Sequence, residues 1–434
     1  MIKDRNLHYQ TPQSIKQFQE SRLKETLSYV AEHSPFYKRM FRENHIDIAT
    51  IKTIEDLQLL PTTTKQDLQS HNSDFLCVDP LAVIDYVTTS GTLGEPVTFA
   101  LTEGDLQRLA YNEASSFSMA GFTRSDVMQL MTTIDRRFMA GLAYFMGARE
   151  LGCGIVRVGN GIPELQWDTI NRVKSTVCMV VPSFLLKMVE FAEKNNIDYN
   201  SSSIKKAVCI GEALRTPNGE LTTLGCRIQE KWPSLELYST YASTEMQSSF
   251  TECEMHQGGH IPSDLIIVEI LDENNQPVND GEAGEVTITT LGVEGMPLVR
   301  FKTGDICIRY SQPCKCGRQT PRLSSVIGRK GQMIKFKGTT IYPPILFDIL
   351  DNIPEVENYI VEVFTNELGT DQIQIRIGSN NHSESFVKQI KDIFRSKVRV
   401  APDIKFESSE LIARLQMPPM SRKVVKFFDL RNNI

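Results

Sequence analysis

Between residues 14 and 33, Leu23, Leu27, Val30 and Ala31 recur at helical spacing among Lys, Gln and Glu, which predicts an amphipathic helix docked as a lid on the main domain. Further along, short apolar runs at 127–131, 155–158, 177–181 and 207–210 alternate with longer helical patterns such as 183–194. That alternation predicts βαβ units around a largely parallel sheet. After residue 260 the pattern changes. The run 265–271 breaks at Glu273-Asn274-Asn275, 284–290 alternates and 299–310 follows, as antiparallel strands joined by turns do. A second change falls near Gly328, where IGRKGQMIKFKG is rich in glycine and lysine. Beyond it, 359–364 and 372–377 read as paired strands, 383–398 as a helix and 404–406 as a returning strand. The expected fold is therefore α/β in two parts. A large N-terminal domain, residues 1–328, has mostly parallel sheets flanked by helices plus an antiparallel hairpin region; a small, mobile α+β domain occupies residues 329–434.

Length supports that division, since 434 residues exceed what one hydrophobic core usually serves. With 41% hydrophobic and 23% charged residues, nothing in the composition argues for long disorder. A net charge of −6 argues against a nucleic-acid partner, whose phosphates call for concentrated Lys and Arg. Nine scattered cysteines fit a reducing compartment better than a disulfide framework. The start, MIKDRNLHYQTPQ, lacks the apolar core of a signal peptide. No apolar run reaches the ~18 residues of a membrane span, so the expected location is cytoplasmic, with no membrane partner.

Chemistry enters at YVTTSGTLGEP, residues 86–96. Thr88, Thr89, Ser90 and Thr92 offer hydroxyls, and Gly91 and Gly94 let backbone N–H groups approach an anion. The same run also suits an ordinary polar turn. VCIGEAL sets Gly211, Glu212 and Ala213 straight after a strand, where a sheet edge meets ligand. YSTYASTEM ends another strand in Tyr241, Ala242, Ser243, Thr244 and Glu245, while PLVRFKTGDICIRY places Asp305 after Gly304 and VIGRKGQ holds Arg329 at the domain joint. Taken singly, Glu245 reads as a helix-start carboxylate, Asp305 as a turn residue and Arg329 as a solvated linker.

Together, in this order, these segments resemble the adenylate-forming enzyme superfamily of acyl- and aryl-CoA ligases, and within it the phenylacetate-CoA ligase branch. RLKETLSYVAEHSPFYKRMF, LPTTTKQDL, VPSFLLKM and GEAGEV extend the likeness over nearly the whole chain. The resemblance implies ATP-dependent activation of a carboxylate with release of pyrophosphate, then transfer of the acyl group to coenzyme A. It assigns Thr88, Thr89, Ser90, Gly91, Thr92 and Gly94 to the ATP phosphates, and Glu245 to Mg²⁺, a hard cation that prefers oxygen. Asp305 would take the ribose hydroxyls and Arg329 a second ribose or phosphate contact. Gly211, Glu212 and Ala213, with Tyr241 and its neighbours Ala242, Ser243 and Thr244, would flank the adenine or the acyl group. Lys423, in MSRKVVKFFDLR, matches the family's catalytic lysine; Lys426 falls where many relatives have arginine. The positions matching the family's acidic or basic pivot are Lys330, Gly331 and Gln332, where the departure to glycine removes a charged pivot, and Glu95 stands where relatives carry lysine. Phe138, Phe184 and Tyr241 favour an aromatic or arylalkanoic acid, although Asp135, Arg136 and Arg137 make one wall polar.

Cys314-Lys315-Cys316-Gly317 is a C-x-C-G knuckle, with Cys253 about sixty residues upstream. A third Cys and a His would close a tetrahedral zinc site. Some members of the branch carry this set, and by that likeness the ligands are Cys253, His260, Cys314 and Cys316, with His256 as the competing ligand. Such a closed structural Zn²⁺ would pin the hairpin after FKTGD to the strand after YASTEM. The remaining cysteines, 77, 153, 178, 209, 226 and 307, are expected mostly in the core. Two other readings share these residues: acyl transfer to a carrier-protein phosphopantetheine, and a nucleotide-binding regulator without catalysis. A homodimer is a family-level expectation only.

Overall fold

The computed structural model describes residues 5–89, 96–336, 339–365, 371–418 and 424–431. It divides into two compact units, one of Met1–Leu221 and Gly225–Val326, the other of Thr222–Leu224 and Ile327–Ile434.

In the larger unit, helix α1 (Pro12–His33) begins where Thr11 accepts the Ser14 N–H at 3.2 Å and proline presets the first helical φ. Its Leu23, Leu27 and Val30 are buried, and they share one core with α2 (Pro35–Glu43), α3 (Lys65–Ser70), β1 (Val83–Thr88) and β2 (Thr98–Thr102). The helix expected as a lid is thus part of the body. Helix α4 (Glu103–Met119) opens on a capping box in which Thr102 and Asp105 each bond the other's backbone N–H. Strand β3 (Val127–Leu130), α5 (Met139–Leu151), β4 (Gly154–Arg157), α6 (Pro163–Val173), β5 (Val177–Val180), α7 (Pro182–Lys194) and β6 (Lys206–Cys209) then alternate as the apolar pattern predicts.

One strand joins the parallel and antiparallel halves. In β7 (Glu236–Ser243), residues 236–239 pair in parallel with β6, whereas 240–243 pair antiparallel with β8 (Ser248–Thr251). On the parallel side the order runs β7-β6-β5-β3-β4. On the antiparallel side β8 is followed by β9 (Gly259–His260), β13 (Arg322–Leu323), β12 (Phe301–Tyr310), β11 (Ala283–Thr290) and β10 (Ile266–Leu271). A second core, containing Phe117, Met128, Leu130, Tyr144, Met179 and Val208, fills the space between α4, α5 and the parallel strands.

The smaller unit has its own core. Strands Asn358–Thr365 and Asp371–Gly378 are antiparallel, flanked in parallel by Phe427–Asp429 and Asp403–Glu407. Helix Glu384–Val398 buries Phe386, Ile390, Phe394 and Val398 at four-residue spacing, which places them on one face. Among the described residues no helix is long and apolar enough to cross a membrane. Of the cysteines expected mostly in the core, Cys226 is exposed; Cys77, Cys153, Cys178, Cys209 and Cys307 are buried.

Candidate active site and metal centre

All parallel strands of β3 to β7 end at the same edge, and the segments leaving that edge carry Phe138, Phe184, Gly211, Glu212 and Ala213. After β6, Gly211 takes φ +78°, a turn open to glycine at little cost. The next residue, Glu212, accepts the Ser183 N–H and hydroxyl, both at 2.9 Å. Its carboxylate therefore caps α7, whose own N-cap, Val181, has no side-chain oxygen. Phe138 precedes α5 and Phe184 lies in the first turn of α7, both half-buried.

Tyr241 and Asp305 meet across the sheet. The Tyr241 hydroxyl donates to Asp305 Oδ2 at 2.7 Å, and its ring stacks on Phe250, its cross-strand partner, at 5.7 Å. Burial, with the Asp305 carboxylate beside it, pushes the phenol well above its ordinary pKa, so it remains a protonated donor. Asp305 owes its place to a bulge, since Ile306 pairs with Glu285 but Lys302 with Thr287. Thr303 closes that bulge by donating to Val286 O at 2.9 Å and accepting the Asp305 N–H at 3.1 Å, with Gly304 at φ +78°. Beyond β7, Ser243 accepts the Met246 N–H at 3.3 Å, and Thr244 and Glu245 are half-buried in the turn so formed. Ala242 is exposed between them and Tyr241.

The β1–β2 hairpin holds the entry to the hydroxyl-rich loop. Thr89 bonds Val97 through both backbone N–H and Oγ1 at 3.0 Å, and the Thr88 N–H donates to Arg137 O at 3.0 Å. Arg136 and Arg137 are exposed, with φ of +57° and +59°, a left-handed pair uncommon outside glycine. Ser90, Gly91, Thr92, Gly94 and Glu95 lie outside the described residues, as does Lys423. Arg329 lies in the smaller unit, in the short strand Gly328–Arg329. Also in that unit, Lys426 Nζ bonds the Tyr359 hydroxyl at 3.0 Å.

One residue of this region escapes sequence reasoning. Arg108, fully buried on α4, donates to Gln247 O at 2.6 Å, Leu265 O at 2.7 Å and Leu291 O at 2.9 Å. Burial lowers its pKa to about 10, which leaves it charged at neutral pH. It ties down the turn that follows Glu245. Within a helix of mixed polarity, nothing local distinguishes an arginine that reaches inward from a solvated one.

Four other ligand atoms converge at the far ends of the antiparallel strands. Those of Cys253, His260, Cys314 and Cys316 all lie within 4.8 Å of one another. Cys253 Sγ is 3.6 Å from Cys314 Sγ, and Cys316 Sγ is 3.5 Å from His260 Nε2. A zinc tetrahedron with Zn–S of about 2.3 Å and Zn–N of about 2.0 Å has edges of roughly 3.5–3.8 Å, so these donors fit Zn²⁺. His260 Nδ1 pairs with Thr320 Oγ1 at 3.0 Å, which turns Nε2 toward the sulfurs. Burial, aided by Arg318 and Arg322, lowers the imidazole pKa to about 3, keeping it in the neutral, ligating form. His256 is not part of this group; its Nδ1 meets Glu252 at 3.2 Å and its ring packs on Tyr238.

Residues 19–295 match the model of the AMP-binding enzyme family. The chain belongs to that family. It is 30% identical over 384 residues to a phenylacetate-coenzyme A ligase of Thermus thermophilus, covering 87% of this chain and 84% of that protein. Against a phenylacetate-coenzyme A ligase of Escherichia coli identity is 26%, over 96% of this chain and 95% of that one. The fold matches a solved 2-hydroxyisobutyryl-CoA ligase in its postadenylation state, with TM-score 0.84, 21% identity and coverage of 98% and 91%. This family member is an AMP-forming acid–thiol ligase.

Proposed function

We propose that this ligase activates an aromatic or arylalkanoic carboxylate as its acyl-adenylate, releasing pyrophosphate, and passes the acyl group to the thiol of coenzyme A. The observation that carries this reading is the Tyr241–Asp305 pair at the edge of the parallel strands. An ionised carboxylate held there by a bulge can accept a ribose hydroxyl, while the aromatic ring beside it offers a face for the adenine or acyl group. The hydroxyl-rich loop from Thr88 to Gly94 would take the β- and γ-phosphates, with Arg329 adding a cation. Glu245, anchored indirectly by Arg108, would help hold Mg²⁺, which neutralises charge on the phosphates. Lys423 would stabilise the charge that builds on the α-phosphate as the carboxylate oxygen attacks and pyrophosphate leaves.

Phe138 and Phe184 at the starts of α5 and α7 support an aromatic acid, as does the likeness to phenylacetate-coenzyme A ligases. The Cys253–His260–Cys314–Cys316 group would hold one structural zinc. With three thiolates and an imidazole on the ion no position remains for substrate, so its role is to fix strands rather than to catalyse. Pyrophosphate release measured over a panel of aryl, arylalkanoic and short hydroxy acids, with and without CoA, tests the reading. Turnover confined to short aliphatic acids would reject the aromatic assignment. Acyl transfer only to a phosphopantetheinyl carrier protein would reject CoA as acceptor.

A further inference from the structure

Lys423 lies outside the described residues, but the chain on both sides of it is described. Helix Ser409–Gln416 runs toward it and strand Phe427–Asp429 follows it. The two sides meet, because the Val425 N–H donates to Gln416 O at 2.8 Å. Both then fasten to one residue of the strand Asn358–Thr365. Gln416 Nε2 donates to Tyr359 O at 2.8 Å, and Lys426 Nζ donates to the Tyr359 hydroxyl at 3.0 Å. Tyr359 is itself buried, with its hydroxyl 2.9 Å from Asp351 Oδ1 and 3.2 Å from Phe347 O of the helix Pro343–Asp351.

Lys426 is held from several directions. Its Nζ lies 3.5 Å from Asp351 Oδ1, 4.8 Å from the centre of the Tyr359 ring and 5.9 Å from that of Phe347. An ammonium among a phenol, a carboxylate and two aromatic rings is far more restrained than a solvated lysine. Strand pairing needs neither side chain, since the Val361 N–H donates to Lys426 O at 2.8 Å and residues 361–363 pair with 427–429 through the backbone. What Gln416 and Lys426 add is a grip on the same tyrosine from either side of Lys423. Lys423 precedes Lys426 by three residues, so no more than about 11 Å of extended chain separates them.

We infer that Gln416 and Lys426 are positioning residues: their shared hold on Tyr359 sets where Lys423 stands during adenylation. The inference rests on the role proposed above for Lys423. A cation that must meet charge developing on the α-phosphate accelerates the step only as far as it is placed beforehand. Releasing either side returns conformational freedom to the chain between them, and that freedom must be lost again whenever the cation is placed. The effect therefore falls on kcat of adenylation, not on KM or on acyl transfer.

Pyrophosphate release, and transfer from preformed acyl-adenylate to CoA, measured separately on the whole protein, test this. In the double variant Gln416→Ala, Lys426→Met, kcat for adenylation is expected to fall about tenfold or more. KM for ATP and acid should stay within about twofold, with acyl transfer nearly unchanged. Lys426→Arg, which keeps a cation able to meet the tyrosine, should retain most of the rate. Tyr359→Phe removes only the hydroxyl and should show the same pattern at about two- to tenfold; it supplies the reading if the double variant does not fold. Equal loss in both half-reactions assigns these side chains to general stability and overturns the inference, as does a full adenylation rate in folded variants. Lys423→Ala separates the two claims. Unchanged adenylation in that variant removes the role of Lys423 and the positioning inference with it, whereas abolished adenylation beside unimpaired Gln416, Lys426 and Tyr359 variants removes the positioning inference alone.

Discussion

The cysteine group and the edge carrying Glu212, Tyr241 and Asp305, proposed for the nucleotide, share one set of strands but are built on opposite terms. At the cysteine group the four donor atoms lie within 4.8 Å of one another, and His260 is oriented from behind by Thr320. At the nucleotide edge the residues sit on strand ends, turns and a bulge, and their carboxylates bond to the protein itself: Asp305 to Tyr241, Glu212 to Ser183. A closed zinc site of the kind proposed is complete without substrate, and its role would be rigidity. An edge proposed to take a large, charged nucleotide must stay open, and its polar groups here bond local partners.

Breaking the closed site should have the largest effect. Cys314→Ser is expected to abolish zinc retention and cost on the order of 5 kcal/mol of stability, read as metal content and thermal midpoint; a stable variant with full zinc would show that Cys314 is not a ligand. Lys423→Ala should slow adenylation about 10²–10³-fold while leaving acyl transfer from preformed acyl-adenylate nearly intact, and equal loss in both half-reactions would contradict its role at the α-phosphate.

Behind the strand that both regions share lies Glu113 of α4, buried, bonded to Asn112, and pushed up to about 8 by its burial. The folded state therefore keeps a proton that an unfolded Glu releases near pH ~4.3. Its stabilising contribution is complete below that pH and declines as pH rises toward 8, by at most ~1.4 kcal/mol per unit. Glu113→Gln should flatten the denaturation midpoint across that window; an undiminished slope would assign it to other groups. The smallest effect belongs to Tyr241→Phe. Losing one hydrogen bond to Asp305, worth about 0.5–1.5 kcal/mol, should change KM for ATP no more than about tenfold with kcat little altered.

Much of this was readable from the residues. Runs of alternating or continuous apolar side chains place ten of the twenty strands among the described residues within two residues of their observed limits, because burial on one or both faces of a sheet leaves a direct trace in spacing; the β1–β2 hairpin, β8 and the shortest strands were given no bounds. The C-x-C-G knuckle alone is a weak metal signal, and its completion by Cys253 and a histidine rested on the likeness to the family. What escaped notice depended on reach across the fold. Glu212 reads as a ligand-facing residue, but its acid belongs to the start of α7, about thirty residues away in sequence. Asp305 reads as a turn residue but stands in a bulge that exists only opposite Val286. Arg108 bonds carbonyls more than a hundred residues downstream, and no local pattern encodes such a partner.

Side-chain spacing alone determined the two-part α/β plan, because periodicity is a local property of a chain; the set of candidate residues and the zinc donors followed from the likeness to the family. Only the tertiary structure brought His260 rather than His256 to the three sulfurs and joined Tyr241 to Asp305. Those outcomes depend on which strand ends meet and which groups burial deprives of water, and neither exists until the sheet has closed.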